Sequence, residues 1–339
     1  MILYEPVRAI NLLQYGIQIP VRDSRAVNTF DALGKHPQLA PFLSKWHLPV
    51  ITERITREDL LRVHAPSYVH RLFSQELEQE LLSVFELIDA QGRYHRYDPV
   101  QARRPLTDLF ADILLNAAGT VQCARSALRH GFCFYFGGGM HHGHFDHGSG
   151  FCPINDILIA ARKLQAQSAV QSVWVVDVDA HKGDGTAALT AGDATITSLS
   201  IHMASGWPLD GPPRLADGTP NPVFIPSDID IPVESGEEKY YLERLSQGLN
   251  QLDHHGRPDL AIVVSGADPY EGDELPSTAG LRLSLDQMLA RDQMVYRFLR
   301  ERNIPAAYLM AGGYGDRVWE VYARFLTWAL CDIYGSRKD

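Results

Sequence analysis

Residues 173–185 read VWVVDVDAHKGDG. The first four are apolar without interruption, the composition of a strand covered on both faces rather than one with a wet side. Asp177, Asp179 and His181 then take alternate positions, so on an extended backbone they project from a single face. Two carboxylates and an imidazole leaving a buried strand together carry a severe desolvation penalty unless a cation sits among them. A divalent metal is one such cation. Lys182 offers the plainer alternative, a strand-end ion pair with Asp177, and on this stretch alone both readings stand.

Working outward, the same short apolar signature recurs at 132–136 (FCFYF), 194–201 (ATITSLSI), 260–265 (LAIVVS) and 306–311 (AAYLMA). Long amphipathic stretches at 105–130, 154–167, 238–254 and 284–302 separate these runs. The last opens Ser284-Leu285-Asp286-Gln287, a capping box in which Ser and Gln satisfy backbone donors reciprocally. Buried strands alternating with helices predict an α/β fold with a central, mostly parallel sheet and helices on both faces. Residues 202–226 contain Pro208, Pro212, Pro213, Pro220, Pro222 and Pro226 and read as a loop-rich excursion. Residues 15–60 read as loops and short helices. No repeat or break in composition divides the chain, so residues 1–339 are expected to form one domain.

A formal net charge of −10 argues against a nucleic-acid surface, which needs clustered Lys and Arg. Cys123, Cys133, Cys152 and Cys331 are scattered without C-x-x-C or framework spacing, as in a protein of a reducing compartment. The opening MILYEPVRAINLLQYG has no basic region followed by a long apolar one, and no uninterrupted apolar span is long enough for a membrane helix. A cytoplasmic protein without a membrane partner is the expectation.

In open parallel sheets, ligands bind beyond the carboxyl ends of the strands. Here FCFYF runs into GGGMHHGHFDHGSGFC, VWVV into DVDAHKGDG, LAIVVS into GADPYEGDE, and AAYLMA into GGYGD. Four strands thus deliver Gly-flanked polar residues to one rim. Adding Asp268 to Asp179 and His181 gives three ligands with an open position, which suits a catalytic Zn²⁺ or similar divalent ion. His141 and His142 follow three glycines, and Asp177 and Asp184 are the carboxylates that could each orient one imidazole for acid–base work. His144, Asp146 and His147 are read as stabilising their loop, with a second metal as the alternative. Tyr314, between glycines, is either a cap over a turn or a phenol that donates to a developing oxyanion. Phe151 and Trp207 are either packing aromatics or the walls of a narrow passage.

Taken together, these blocks resemble the histone deacetylase family of the arginase/deacetylase fold. The agreement runs from His64-Ala65-Pro66-Ser67-Tyr68 through GGGMHH, GFCPIND, DVDAHKGDG and SGADPYEGD to AGGY, about residues 60–320. The resemblance implies that Asp179, His181 and Asp268 bind a catalytic Zn²⁺, with Fe²⁺ as the alternative metal. It implies that His141 and His142 are the tandem histidines, partnered by Asp177 and Asp184, and that Tyr314 polarises the substrate carbonyl. Gly150, Phe151 and Trp207 would line an acyl-lysine tunnel, with Leu275 at its mouth and Cys152 deeper in. By the same analogy, Asp177 and Ser200 would help hold a structural K⁺.

The short GADPYEGDEL and AGGY blocks are closer in style to class IV-like and bacterial members, some of which prefer longer acyl chains. The implied activity is hydrolysis of acetyl or longer acyl groups from acylated lysine in a peptide or protein, or from a similar amine. An acetylpolyamine amidohydrolase is the alternative, although Leu275 stands where some polyamine-selective relatives carry a carboxylate. A binuclear manganese ureohydrolase is more distant: Ser227-Asp228-Ile229-Asp230-Ile231-Pro232 is superficially similar to a motif of that group, but Met140-His141-His142 and Lys182-Gly183-Asp184 depart from it. A non-catalytic module that binds acylated amines is the last alternative.

Overall fold

The computed structural model of the chain describes residues 1–8 and 10–334. Its strands are β1 (Ile2–Leu3), β2 (His47–Leu48), β3 (Phe132–Tyr135), β4 (Val173–Asp177), β5 (Ile196–Met203), β6 (Ile229–Val233), β7 (Leu260–Ser265) and β8 (Ala306–Met310). They form one eight-stranded sheet in the order β2-β1-β3-β8-β7-β4-β5-β6, with every pairing parallel. The five apolar runs all became strands. The reason for their unbroken apolarity is visible in the two cores. Cys133, Tyr135, Val173, Val175, Ile262, Val264 and Leu309 face one core, built with helices Leu109–His130 and Asp156–Ala166. Their neighbours Phe134, Trp174, Val176, Val263, Tyr308 and Met310 face the other, built with Tyr241–Leu252, Leu285–Glu301 and Trp319–Tyr334. Both faces are buried, as the sequence pattern requires.

The four expected helices lie where the periodicity puts them, and the Ser284/Gln287 capping box is present. Three strands escaped the pattern. β1 and β2 are two residues each, too short to show a period. β6 contains Pro232, which reads against a strand; its edge position makes the missing N–H harmless. The stretch 15–60, expected as loops and short helices, contains the twelve-residue helix Ser24–Lys35.

The chain path explains why one rim collects the chemistry. From β3 the chain crosses to β4 and continues outward to β5 and β6, leaving a gap. β7 and β8 then return to fill that gap. The central four strands β3, β8, β7 and β4 are therefore adjacent in space although β3 begins at residue 132 and β8 at residue 306. Their carboxyl ends open onto one place.

Candidate metal centre

β4 ends at Asp177, and the chain does not stay extended beyond it. Asp179 N–H donates to Asp177 Oδ1 at 3.1 Å, and His181 N–H donates to Asp179 Oδ1 at 3.1 Å. The D-x-D-x-H segment is thus two successive Asx turns rather than a pleated ladder. This corrects the reading of a single extended face, yet it keeps the result, because each turn hands the next side chain inward. Lys182 does not pair with Asp177; its ammonium lies 3.3 Å from Asp230.

Asp179, His181 and Asp268 offer ligand atoms that all lie within 4.8 Å of one another, and all three residues are buried. Asp268 follows β7 and accepts from Ala180 N–H at 3.0 Å, which ties the loops after β4 and β7 together. Asp179 Oδ2 accepts from Gly312 N–H at 2.9 Å, tying in the segment after β8. His181 turns Nδ1 toward Asp268 Oδ2 (3.2 Å) and places Nε2 3.2 Å from Ser277 Oγ. Ser277 can therefore fix the ring so that Nδ1 is the ligand nitrogen. Burial and the adjacent Asp179 charge push the Asp268 carboxyl up. Burial opposes charge on Asp179 too, but His141 and His181 outweigh it and hold that carboxylate well below the usual range. Two acids this close that cannot ionise independently, facing an imidazole nitrogen, form a donor set that a divalent cation fits.

The two histidines after β3 sit beside this triad with rings 3.9 Å apart. His141 Nδ1 lies 2.7 Å from Asp177 Oδ2, and His142 Nδ1 lies 2.5 Å from Asp184 Oδ1. Their environments differ in sign. Burial opposes charge on His141, but Asp177 and Asp179 outweigh it and raise its pKa to about 10. Burial and the neighbouring His141 lower that of His142 to about 4. One ring is held charged and the other neutral, the separation that acid–base pairs use. The loop itself is pinned by Asp156, which accepts from Gly139 N–H (3.1 Å) and Met140 N–H (2.7 Å).

Tyr314 lines the same cavity, its backbone N–H donating to Asp273 Oδ2 at 2.7 Å. Burial and the nearby Asp268 and Asp179 charges push its phenol well up, so it remains a donor. Arg25 donates to Ala311 O (2.7 Å) and Gly313 O (3.2 Å), holding this turn from helix Ser24–Lys35. Gly150, Phe151, Trp207 and Leu275 line the approach together with His142, His181 and Tyr314. The Trp207 ring lies 4.6 Å from that of His142 and 5.4 Å from that of His181. A Cβ at Gly150 would run into Trp207 and His142. The cavity that Tyr314 lines with Asp179 and His181 has a volume of about 180 Å³ and is also walled by Cys152, Met140, Leu109 and Ile113.

His144 hydrogen-bonds Asp184 Oδ2 at 2.9 Å and stacks on His147 with ring centroids 4.6 Å apart. Among the described residues no second group of three metal-binding side chains occurs, and the loop-stabilising geometry of His144 accounts for its position. Ser200, in register with Asp177, has a buried Oγ without a hydrogen-bond partner. Ser277, Arg25, Asp273 and Asp156 were not singled out from sequence as site residues. They act on backbone groups or on a ligand's far side, and such roles leave no motif.

The model of the histone deacetylase domain matches residues 19–330. An uncharacterized protein of Picosynechococcus is 31% identical over 65% of this chain and 69% of its own length. Histone deacetylase 2 of Arabidopsis thaliana is 30% identical over 76% of this chain and 60% of its own. The acetoin utilization protein AcuC of Staphylococcus aureus is 26% identical over 81% of this chain and 68% of its own. A crystal structure of an HDAC homolog complexed with SAHA superposes with a TM-score of 0.69 at 21% identity, covering 98% of this chain and 83% of that one. That last likeness concerns the fold.

Proposed function

Because the chain belongs to the histone deacetylase family, we propose that it is a metal-dependent amidohydrolase releasing acetyl or longer acyl groups from acylated lysine. The observation that carries this reading is one cavity lined by Asp179, His181, His141, His142 and Tyr314, with Asp268 closing the triad and Asp177 and Asp184 holding the two histidines from behind. Zn²⁺, or Fe²⁺ in its place, bound by Asp179, His181 and Asp268 would supply Lewis acidity, polarising the amide carbonyl and acidifying a water.

The remaining steps belong to the chain's own side chains. Asp184 accepts the Nδ1–H of His142, which leaves the other ring nitrogen free to take the proton of the attacking water. His141, held through Nδ1 by Asp177, faces the site beside His142 as a second proton-carrying ring. Tyr314 donates to the carbonyl oxygen as the carbon becomes tetrahedral. Proton return through His142 or His141 then expels the amine. Phe151, Trp207, Gly150 and Leu275 clasp the aliphatic stem and exclude water, while Cys152 and Met140 border the space left for the acyl group.

The approach favours acyl-lysine over acylpolyamine. The carboxylate at its mouth, Glu86, is ion-paired to Arg96 at 3.3 Å, and Leu275 is apolar. The unpartnered Ser200 Oγ beside Asp177 supports a K⁺ site there. We read residues 1–339 as one catalytic domain and the cytoplasm as its location; no helix among the described residues is long and apolar enough to cross a membrane. The test is a panel of acetyl- and longer acyl-lysine peptides and acetylpolyamines, ranked by kcat/KM on metal-defined protein, with Asp268→Ala as the metal-deficient control. Acyl-lysine peptides are expected to lead. Preference for acetylpolyamines would reverse the substrate assignment. Tight hydroxamate binding without any turnover would leave only a binding module.

A further inference from the structure

Among the described residues Arg291 is the largest charged side chain with no solvent exposure, and nothing in the mechanism above uses it. It projects from helix Leu285–Glu301, on the face of the sheet opposite helix Leu109–His130. Its Nη1 donates to Val178 O at 3.0 Å and to Gly266 O at 2.8 Å. Those two carbonyls are special in position. Val178 immediately precedes the ligand Asp179, and Gly266 stands two residues before the ligand Asp268. The ladder between β4 and β7 ends where the chains part to host the site: the last registered pair is Asp177 with Val264, followed by one bond from Val178 N–H to Val264 O at 3.1 Å. Beyond that point one guanidinium nitrogen takes the place of the missing ladder.

The charge of Arg291 is matched within its own helix. Nε donates to Asp292 Oδ1 at 2.9 Å, and Nη2 lies 2.7 Å from the same oxygen. The pair brings directed N–H donors to two buried carbonyls while adding no net charge beneath a cation site. Lysine cannot reproduce this, since a point ammonium lacks the planar fork that bonds a carboxylate and a carbonyl pair at once. The same two loops are also joined directly, by Ala180 N–H donating to Asp268 Oδ1. They are thus fastened at two points.

We propose that Arg291, oriented by Asp292, is a positioning residue that sets the separation of the carboxylates Asp179 and Asp268 and so the affinity and geometry of the metal site. This rests on the assignment of Asp179, His181 and Asp268 as metal ligands. Two full-length variants test it: Arg291→Lys, and the double variant Arg291→Met with Asp292→Leu, which replaces the buried pair by apolar volume and leaves no lone charge. Apo protein is titrated with Zn²⁺ against a chromophoric chelator and, separately, with Co²⁺ while its visible absorption is recorded.

Folding is checked by circular dichroism on each sample. Both variants are expected to bind Zn²⁺ about 10–100-fold more weakly than wild type, the usual effect of losing an outer-shell contact. Their Co²⁺ spectra are expected to shift, a change that mere loss of fold stability would not produce in the folded fraction. Wild-type affinity and an unchanged Co²⁺ spectrum in either folded variant would overturn the proposal. Failure of wild-type protein to bind one Zn²⁺ per chain would instead overturn the ligand assignment.

Discussion

His64 shows how much a single side chain can do away from the chemistry. Its Nδ1 lies 2.8 Å from His144 O and its Nε2 accepts from Asn155 N–H at 3.1 Å, so the neutral ring is satisfied on both sides. Burial lowers its pKa from 6.5 to about 4, outweighing the hydrogen bond to the His144 carbonyl, which favours the charged ring. In the unfolded chain the ring takes a proton near pH 6.5, whereas in the folded chain it does so only near 4. Between those values the unfolded state binds more protons, so the stability that neutral His64 contributes is complete above 6.5 and drains away as pH falls toward 4. The difference corresponds to about 3 kcal/mol. We therefore expect the gap in unfolding free energy between wild type and His64→Gln to narrow by that amount from pH 7 to pH 4; a gap of constant size would refute it. At this scale the sequence was legible wherever a residue's own chemistry is unusual: adjacent histidines after glycines, or acids leaving an apolar run. It was silent on Ser277 and Asp273, ordinary residues whose importance lies only in what they touch.

Elements were legible in proportion to their length and burial. β3, β4, β5, β7 and β8 announced themselves because both of their faces are covered, and helix Leu285–Glu301 because its cap is written in four residues. The edges were not, since a two-residue strand has no period and Pro232 points away from strand. Arg291 gives the cap at Ser284 a wider meaning, because the helix it starts is the one that grips the segments leading to Asp179 and Asp268. Ser284 Oγ accepts from Gln287 N–H at 3.3 Å, and Gln287 Oε1 accepts from Ser284 N–H at 2.9 Å. Ser284→Ala removes the first bond and is expected to cost about 1 kcal/mol in urea unfolding. No change in midpoint would mean that tertiary packing alone holds this helix end.

At the scale of the whole molecule, the site is a debt of buried charge that the fold gathers from distant segments. Asp177, Asp179, Asp184 and Asp268 are all buried, and the histidines answer only part of that charge. A divalent ion bound by the native state and not by the unfolded chain would stabilise the molecule by about 4 kcal/mol at a thousandfold excess over its Kd. Thermal unfolding with a strong chelator is expected to begin at lower temperature, with recovery on adding Zn²⁺; coincident curves would show that the acids are balanced without a metal. The insertion of β7 and β8 between β3 and β4 has a further consequence for how the protein is made. A ribosome emits the flanking strands first and the middle ones last, so a growing chain holds two unjoined half-sheets with raw inner edges until the final pair slots in. Catalytic competence then waits on the emergence of β8, and until then the open edges are where a chaperone would be needed most.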